Sequence, residues 1–442
     1  MVIVRRTLSL ASQRVLQTNL NFPMNRALTT FAVAASAHLI ASTHAGELFL
    51  LGAVPYAYAY DSSADGTVVA GQDNASYWYW TKDTWVVALE ESIPPGNGVG
   101  GNPCITNDGS VMTCSTLVDL NGVSKAEATL YNINTVIYDA AVGSLGFHCD
   151  IERDGAWGMN PTASFVCGLI RNSGCAASGF VWDSATDTIK LMPTKYFYKP
   201  TRANDISDDG TVVAGWNDDY NGWRQACVWV KDASGNYIAN VLTNGLATPT
   251  KLAEAGVVSG NGVWLAGKGR SSIDGGAPWR WSSATGYQSL GTQPVAGVGG
   301  STAMNADGSK ILCYLGYAVA AGEGYIWIQG RGYVALEDYA AEFGVTMPEG
   351  VRLALPLSIS ADELTITGTA RGPFGTSPFV LDLHPTAGSC VGDLNSDGSV
   401  TGADLGILLG DWGQATASDI DGNGVVDGAD LGRLLGAWGP CP

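Results

Sequence analysis

A nine-residue phrase that keeps returning constrains this chain more than any other feature. Ser63-Ala64-Asp65-Gly66-Thr67-Val68-Val69-Ala70-Gly71 reappears as Ser207-Asp208-Asp209-Gly210-Thr211-Val212-Val213-Ala214-Gly215. Looser copies run Asn107–Cys114, Ser259–Gly267 and Asn305–Cys313, and two degenerate ones end at Gly168 and Gly368. The last residue of each copy serves as a marker, at positions 71, 114, 168, 215, 267, 313 and 368. Neighbouring markers stand roughly 50 residues apart, and self-similarity at such a period is the signature of a repeat architecture.

Each copy reads as a turn and a strand. Asp-Gly and Asn-Gly supply the positive-φ residues of tight turns. The Val-Val-Ala-Gly segment is a buried strand that ends where side-chain bulk is not tolerated. Further along comes an aromatic-anchored strand: Val181-Trp182, Val228-Trp229, Arg280-Trp281 and Ile326-Trp327, with Tyr79-Trp80 earlier in its copy and Tyr131 and Leu381 in place of Trp elsewhere. Such a period fits four-stranded blades, and seven blades close into a β-propeller. An open β-solenoid is the rival, but its rungs usually repeat at a shorter period. The fold class expected for residues 46–384 is an all-β, seven-bladed propeller.

Residues 46–384 resemble the extracellular repeats called the HAF family, in which a Ser-x-Asp-Gly-x-Val-Val-x-Gly segment precedes a Phe/Trp strand. The resemblance implies a secreted repeat protein and no particular activity.

After a linker, Pro385 to Ser389, residues 390–442 carry a second, unrelated repeat. Asp393-Leu-Asn395-Ser-Asp397-Gly398-Ser399-Val400-Thr401-Gly402-Ala403-Asp404 is matched further on by Asp419-Ile-Asp421-Gly-Asn423-Gly424-Val425-Val426-Asp427-Gly428-Ala429-Asp430. Both are twelve-residue loops of the EF-hand type. Side chains at positions 1, 3 and 5 (Asp393, Asn395, Asp397; Asp419, Asp421, Asn423) are oxygen ligands. Position 7 (Ser399; Val425) gives a backbone carbonyl, position 9 (Thr401; Asp427) acts through water, and position 12 (Asp404; Asp430) closes the shell. Gly398 and Gly424 occupy the sharp turn at position 6. An all-oxygen, flexible donor set selects calcium, two ions in all.

A leucine-striped helix follows each loop, and no helix precedes either one. A doubled loop–helix resembles the dockerin module, which implies a cohesin-type or cell-surface partner, often in polysaccharide-degrading assemblies. In that family loop positions 10 and 11 touch the partner; here they are Gly402-Ala403 and Gly428-Ala429, where Ser-Thr is often found. Trp412 and Trp438 are expected to be core or clasp residues of the module and not partner anchors. Cys390 and Cys441 bracket the module, and a bridge between them would contribute roughly 2–4 kcal/mol.

The beginning of the chain sets the compartment. Met24-Asn25-Arg26, the apolar run Ala27–Ala41 and Ser42-Thr43-His44-Ala45 follow the order of a secretory signal peptide, with Met24 a candidate true start. Residues 1–45 hold four of the 23 basic residues and none of the 41 acids, so a chain processed after Ala45 carries −22 instead of −18. Such a surface disfavours nucleic acid and anionic membranes, and no later stretch is long enough to span a bilayer. Nine cysteines in an exported chain can pair. Spacing proposes Cys104–Cys114 and Cys167–Cys175 and leaves Cys149, Cys227 and Cys313. With His38 and His44 removed, only His148 and His384 remain, which excludes a His-rich zinc site and starves a Ser-His-acid triad.

Glu90, Glu91, Glu152, Glu254 and Glu323 are candidate acids for glycoside hydrolysis, but no context sets a pair apart. Two functions are therefore expected. One is a secreted calcium-binding protein whose module docks a glycan- or protein-binding propeller. The other is a polysaccharide-degrading enzyme of the O-glycosyl hydrolase class carrying the same tag.

Overall fold

In the computed structural model, the described residues are 46–442 apart from 53–55, 93–100, 121–122, 142–153, 172–173, 244, 246–251, 270–275, 317–321, 385–391, 396, 415, 417, 421–423 and 442. Residues 1–45, where a signal peptide is expected, the linker 385–389, His148, Cys149, Glu152, Cys390, Asp421 and Asn423 thus lie outside the described residues.

Seven antiparallel sheets form a seven-bladed β-propeller, six of four strands and one of three. In the four-stranded blades each marker residue falls in the second strand from the axis: Val69–Gln72, Phe165–Arg171, Val212–Asp218, Trp264–Lys268, Lys310–Leu315 and Thr365–Gly372; in the three-stranded blade it falls in the first, Val111–Leu120, with the single bridge Ile105–Met112 on its inner side. The strand that carries the aromatic residue, or Leu381 in its place, is the next one outward. Two residues before each marker, the same cross-strand pair recurs: Val69–Trp80, Met112–Tyr131, Val166–Trp182, Val213–Trp229, Leu265–Trp281, Ile311–Trp327 and Ile366–Leu381. Six of these pairs set an aromatic ring against an aliphatic or Met side chain and the seventh is aliphatic on both sides; cross-strand pairs of this kind are the stabilising unit of a sheet.

The intolerance of bulk at the markers has a direct cause. A Cβ on Gly267 would lie 2.0 Å from the Glu254 carbonyl oxygen, and one on Gly215 would lie 2.1 Å from that of Arg202. Both oxygens belong to the neighbouring first strand, which approaches too closely for a side chain.

The turn before each second strand is held by its own side chains. Ser207 Oγ donates to Asp209 and accepts from Val212 N–H, while Asp209 Oδ1 also takes Thr211 N–H and Oγ1–H. Ser63-Asp65-Thr67 repeats this pattern. At the fourth turn residue φ is positive in all seven blades, from +55° to +73°, including Ala163 and Glu363 in the degenerate copies. Neighbouring turns are joined by hydrogen bonds around the ring, among them Ala64 N–H to Asn107 O, Asp208 N–H to Gly260 O, and Asp362 N–H to Ala64 O, which closes the circle.

The last blade borrows its outer strand. Glu47–Leu50 pairs with Gly375–Asp382, with Glu47 opposite Asp382, and Lys82 reaches Asp382 at 2.6 Å and Glu47 at 3.8 Å.

Residues 392–441 form helices Gly402–Gly410 and Gly428–Gly436 with a two-stranded pairing of Ser399–Val400 and Gly439–Pro440, so this segment is not purely helical. Val400, Leu408, Val426 and Leu434 make its buried centre. The stripe narrows to Leu405/Leu408 and Leu431/Leu434, since Leu409 and Leu435 are each 52% exposed. Trp412 and Trp438, expected as core or clasp residues, are 47% and 51% exposed, so they are not part of the core. They stand just beyond the helix ends, past the narrow buried stripe. Among the described residues no helix is long and apolar enough to cross a membrane.

Cys104, Cys114, Cys167, Cys227 and Cys313 are buried free thiols, so neither Cys104–Cys114 nor Cys167–Cys175 forms. Cys114 packs between the first two blades whereas Cys104 turns to the axis. Cys175 and Cys441 are each disulfide-bonded.

Candidate functional site

The strand nearest the axis carries a β-bulge in six blades. The extra residues are Tyr60, Trp157, Asn204, Gly256, Thr302 and Leu357, each eleven positions before a marker. A bulge re-aims the side chain it inserts, and all six residues line a central cavity of about 370 Å³. The next residue in each blade adds a second ring, whose chemically active members are Asp61, Cys104 and Asp205.

Asp61 and Asp205 are held alike. Asp205 Oδ2 accepts Val258 N–H of the next blade at 2.8 Å and its Oδ1 accepts Ile206 N–H. Asp61 Oδ2 accepts Ile105 N–H, and its Oδ1 takes Ser62 N–H and the Ser358 hydroxyl. Burial pushes Asp61 up to about 6 and Asp205 up to about 7; the amide bonds oppose the shift, and for Asp205 the Asp61 and Asp208 carboxylates add to it. Burial, reinforced by the two aspartates, keeps Cys104 a thiol.

At the cavity mouth the Arg202 guanidinium lies 4.8 Å from the Trp157 ring and 5.5 Å from Trp216. It donates to Glu254 Oε1 at 2.6 Å and to Asn204 at 2.6 Å. Arg224 stacks on Trp216 at 4.6 Å and approaches Glu254 Oε2 at 3.5 Å. Beside this network opens a second cavity of about 650 Å³, walled by Tyr56, Tyr58, Tyr60, Trp157 and the polar residues Gln72, Asp73, Asn74 and Asn102. Tyr60, Asn102, Trp157 and Arg202 border both cavities.

Of the described candidate acids, Glu254 alone borders the channel. Glu90 and Glu91 are exposed, and Glu323 accepts the Tyr325 hydroxyl. Sequence reasoning missed Asp61, Asp205 and the bulge ring; a readable signal existed in the fixed offset from each marker, ten or eleven positions upstream.

The two C-terminal loops share one closure. Asp393 Oδ2 accepts Gly398 N–H at 2.9 Å, and Asp419 Oδ2 accepts Gly424 N–H at 2.7 Å. Gly398 and Gly424 have φ of +86° and +94°. Asn395 and Asp397 hydrogen-bond each other, and Asp397 also caps Ser399 N–H. Thr401 and Asp427 cap the helices, with Asp404 and Asp430 completing capping boxes as fully buried carboxylates. Gly402, Ala403, Gly428 and Ala429 are exposed at the helix starts, and Val425 is 37% exposed. Among the described residues, no three His, Cys, Asp or Glu side chains stand together as a metal cluster.

No protein-family model matches the chain, and no curated protein matches it. Several solved structures are similar to it in part. The β-propeller domain of Myceliophteria thermophila Cps50 (Swd1) superposes with a TM-score of 0.49 at 10% identity, covering 76% of this chain and 99% of that one. The RRP9 WD40 repeats give 0.45 at 12%, covering 77% and 99%. A chain of the mitotic checkpoint complex gives 0.46 at 15%, covering 84% and 98%.

Proposed function

We propose that this is a secreted calcium-binding protein in which residues 390–442, a dockerin-like module, dock the propeller onto a cohesin-type or cell-surface partner, leaving the channel mouth to bind a glycan or protein ligand. The observation that carries the docking half is the duplicated loop closure, position-1 carboxylate to position-6 glycine N–H, ahead of two capping-box helices.

The donor set fits calcium, being hard oxygen throughout. Asp393, Asn395, Asp397, the Ser399 carbonyl, Thr401 and Asp404 would hold one ion; Asp419, Asp421, Asn423, the Val425 carbonyl, Asp427 and Asp430 would hold the other. Calcium supplies charge neutralisation and a cross-link between loop and helix, so its binding free energy adds to folding. The exposed Gly402-Ala403 and Gly428-Ala429 pairs, with Trp412 and Trp438 half-exposed, offer the partner a small, smooth, apolar surface.

The channel favours binding over hydrolysis. Both oxygens of Asp61 and of Asp205 accept protein hydrogen bonds, and Glu254 is held by two arginines. A polysaccharide-degrading enzyme carrying the same tag would need two carboxylates available to a glycosidic bond.

Calcium titration calorimetry on the full chain tests the docking half. Two ions per chain are expected for the parent protein and none for an Asp393→Ala, Asp419→Ala variant. Unchanged stoichiometry in the variant would refute it. Turnover on a polysaccharide panel, abolished by Glu254→Gln or Asp205→Asn, would establish the enzyme instead.

A further inference from the structure

We infer that the larger cavity, at the channel mouth, is a subsite for an uncharged, hydroxyl-rich glycan. This rests on the binding role proposed above for the propeller and names its ligand class.

Three observations converge. The walls are aromatic: Tyr58 and Tyr60 stand with ring centroids 5.5 Å apart, and Trp157 borders the same space. The C–H faces of a pyranose ring carry slight positive charge and lie naturally on the negative faces of aromatic rings. Tyr56, at the rim, is 67% exposed and sits at φ +59°, a conformation bulky residues rarely adopt. Strain of that kind clusters at ligand clamps.

The polar wall is suited to hydroxyl groups. Gln72 is 7% exposed; its side chain bonds to Tyr60, yet its Oε1 has no protein partner. That oxygen is itself enclosed, so hydroxyl contacts at this wall fall to its other amides. Asn74 and Asn102 add amide donors and acceptors to the same wall.

The charge left in the cavity is negative, since its one cation is paired and Asp73 keeps its carboxylate. Arg202 is paired with Glu254, and Asp73 Oδ1 accepts the Ala75 and Ser76 N–H groups. A polyanionic glycan would meet no uncommitted cation among the residues that wall this cavity, and a chain of net charge −18 around it. The concave volume suits a few sugar rings, in the range of small-ligand sites, and not the broad patch of roughly 800 Å² per partner that a protein interface needs.

The test is affinity electrophoresis and calorimetry on the full chain with neutral polysaccharides (mixed-linkage β-glucan, galactomannan, xyloglucan) and with polygalacturonate as the anionic comparison. Retardation by at least one neutral polymer is expected, weakened at least tenfold, about 1.4 kcal/mol, in Tyr58→Ala and in Trp157→Ala. Tyr58→Phe keeps the ring and should keep the binding, which guards against a folding defect in the alanine variants. Retention on polygalacturonate alone, no retention on any neutral polymer, or neutral-polymer binding indifferent to both alanine variants overturns the inference. Calcium titration of the same samples reads the docking module separately, so that half stands or falls on its own.

Discussion

The Asp205 carboxylate of the fourth blade accepts the backbone N–H of Val258 in the fifth, 2.8 Å away, beside the propeller axis. Burial there raises Asp205 to about 7 and the equivalent Asp61 to about 6. An acid whose folded pKa lies above its unfolded value near 3.8 stabilises the fold fully below pH 3.8 and loses that contribution as pH rises through its folded pKa. His384, which burial alone would lower, is raised by Asp382 and Asp362 and acts in the same direction above its ordinary 6.5. Asp108 and Asp307, lowered by turn hydroxyls and amides, contribute above 3.8 and lose their effect on acidification. The melting temperature should therefore peak between about pH 4 and 6 and fall toward about pH 8. Asp205→Asn should flatten the alkaline slope, by on the order of 1–3 kcal/mol, in calorimetric melts across that range.

Glycines of two kinds should respond differently to alanine. At Gly267 the new methyl would meet the Glu254 oxygen at 2.0 Å and Trp279 at 2.8 Å, and overpacking costs roughly 1–3 kcal/mol or more. At Gly286 the space is open but φ is +69°, so the cost is the left-handed backbone alone, about 1 kcal/mol. Urea midpoints of Gly267→Ala and Gly286→Ala give the comparison.

Asp209 gathers three hydrogen bonds in its turn. Asp209→Ala should destabilise the propeller by about 1–2 kcal/mol, and Asp209→Asn, which keeps an acceptor, by less. Chemical denaturation of both variants checks the order.

Chelation should act on one part of the chain. Removing calcium is expected to lower the transition of residues 390–442 and leave that of the propeller in place, because metal binding and folding are linked locally. Differential scanning calorimetry with and without EDTA would show two transitions, one of them moving.

Blade number and the placing of second and third strands were legible because their residues are local and periodic: a positive-φ turn, an aliphatic run, a small marker, then an aromatic. The functional mouth was not. Tyr60 and Trp157 reach the axis through bulges that only strand pairing creates, and Asp205 acquires its character from Val258 in another blade. The Cys104–Cys114 pairing failed for a related reason, since the two are near neighbours in sequence yet face the axis and a blade interface. Trp412 and Trp438 misled because symmetry between two copies marks a shared role without saying whether it is inward or outward.

The strand at Glu47–Leu50 has a mechanical meaning. If residues 390–442 tether the chain as proposed, tension enters at the His384 end of strand Gly375–Asp382. That strand is hydrogen-bonded on one side to Thr365–Gly372 and on the other to Glu47–Leu50. Pulling along it loads both ladders in shear, many bonds at once, instead of peeling an edge strand bond by bond. Closing the ring with the strand Glu47–Leu50 thus strengthens the propeller against force applied at the end of its last strand.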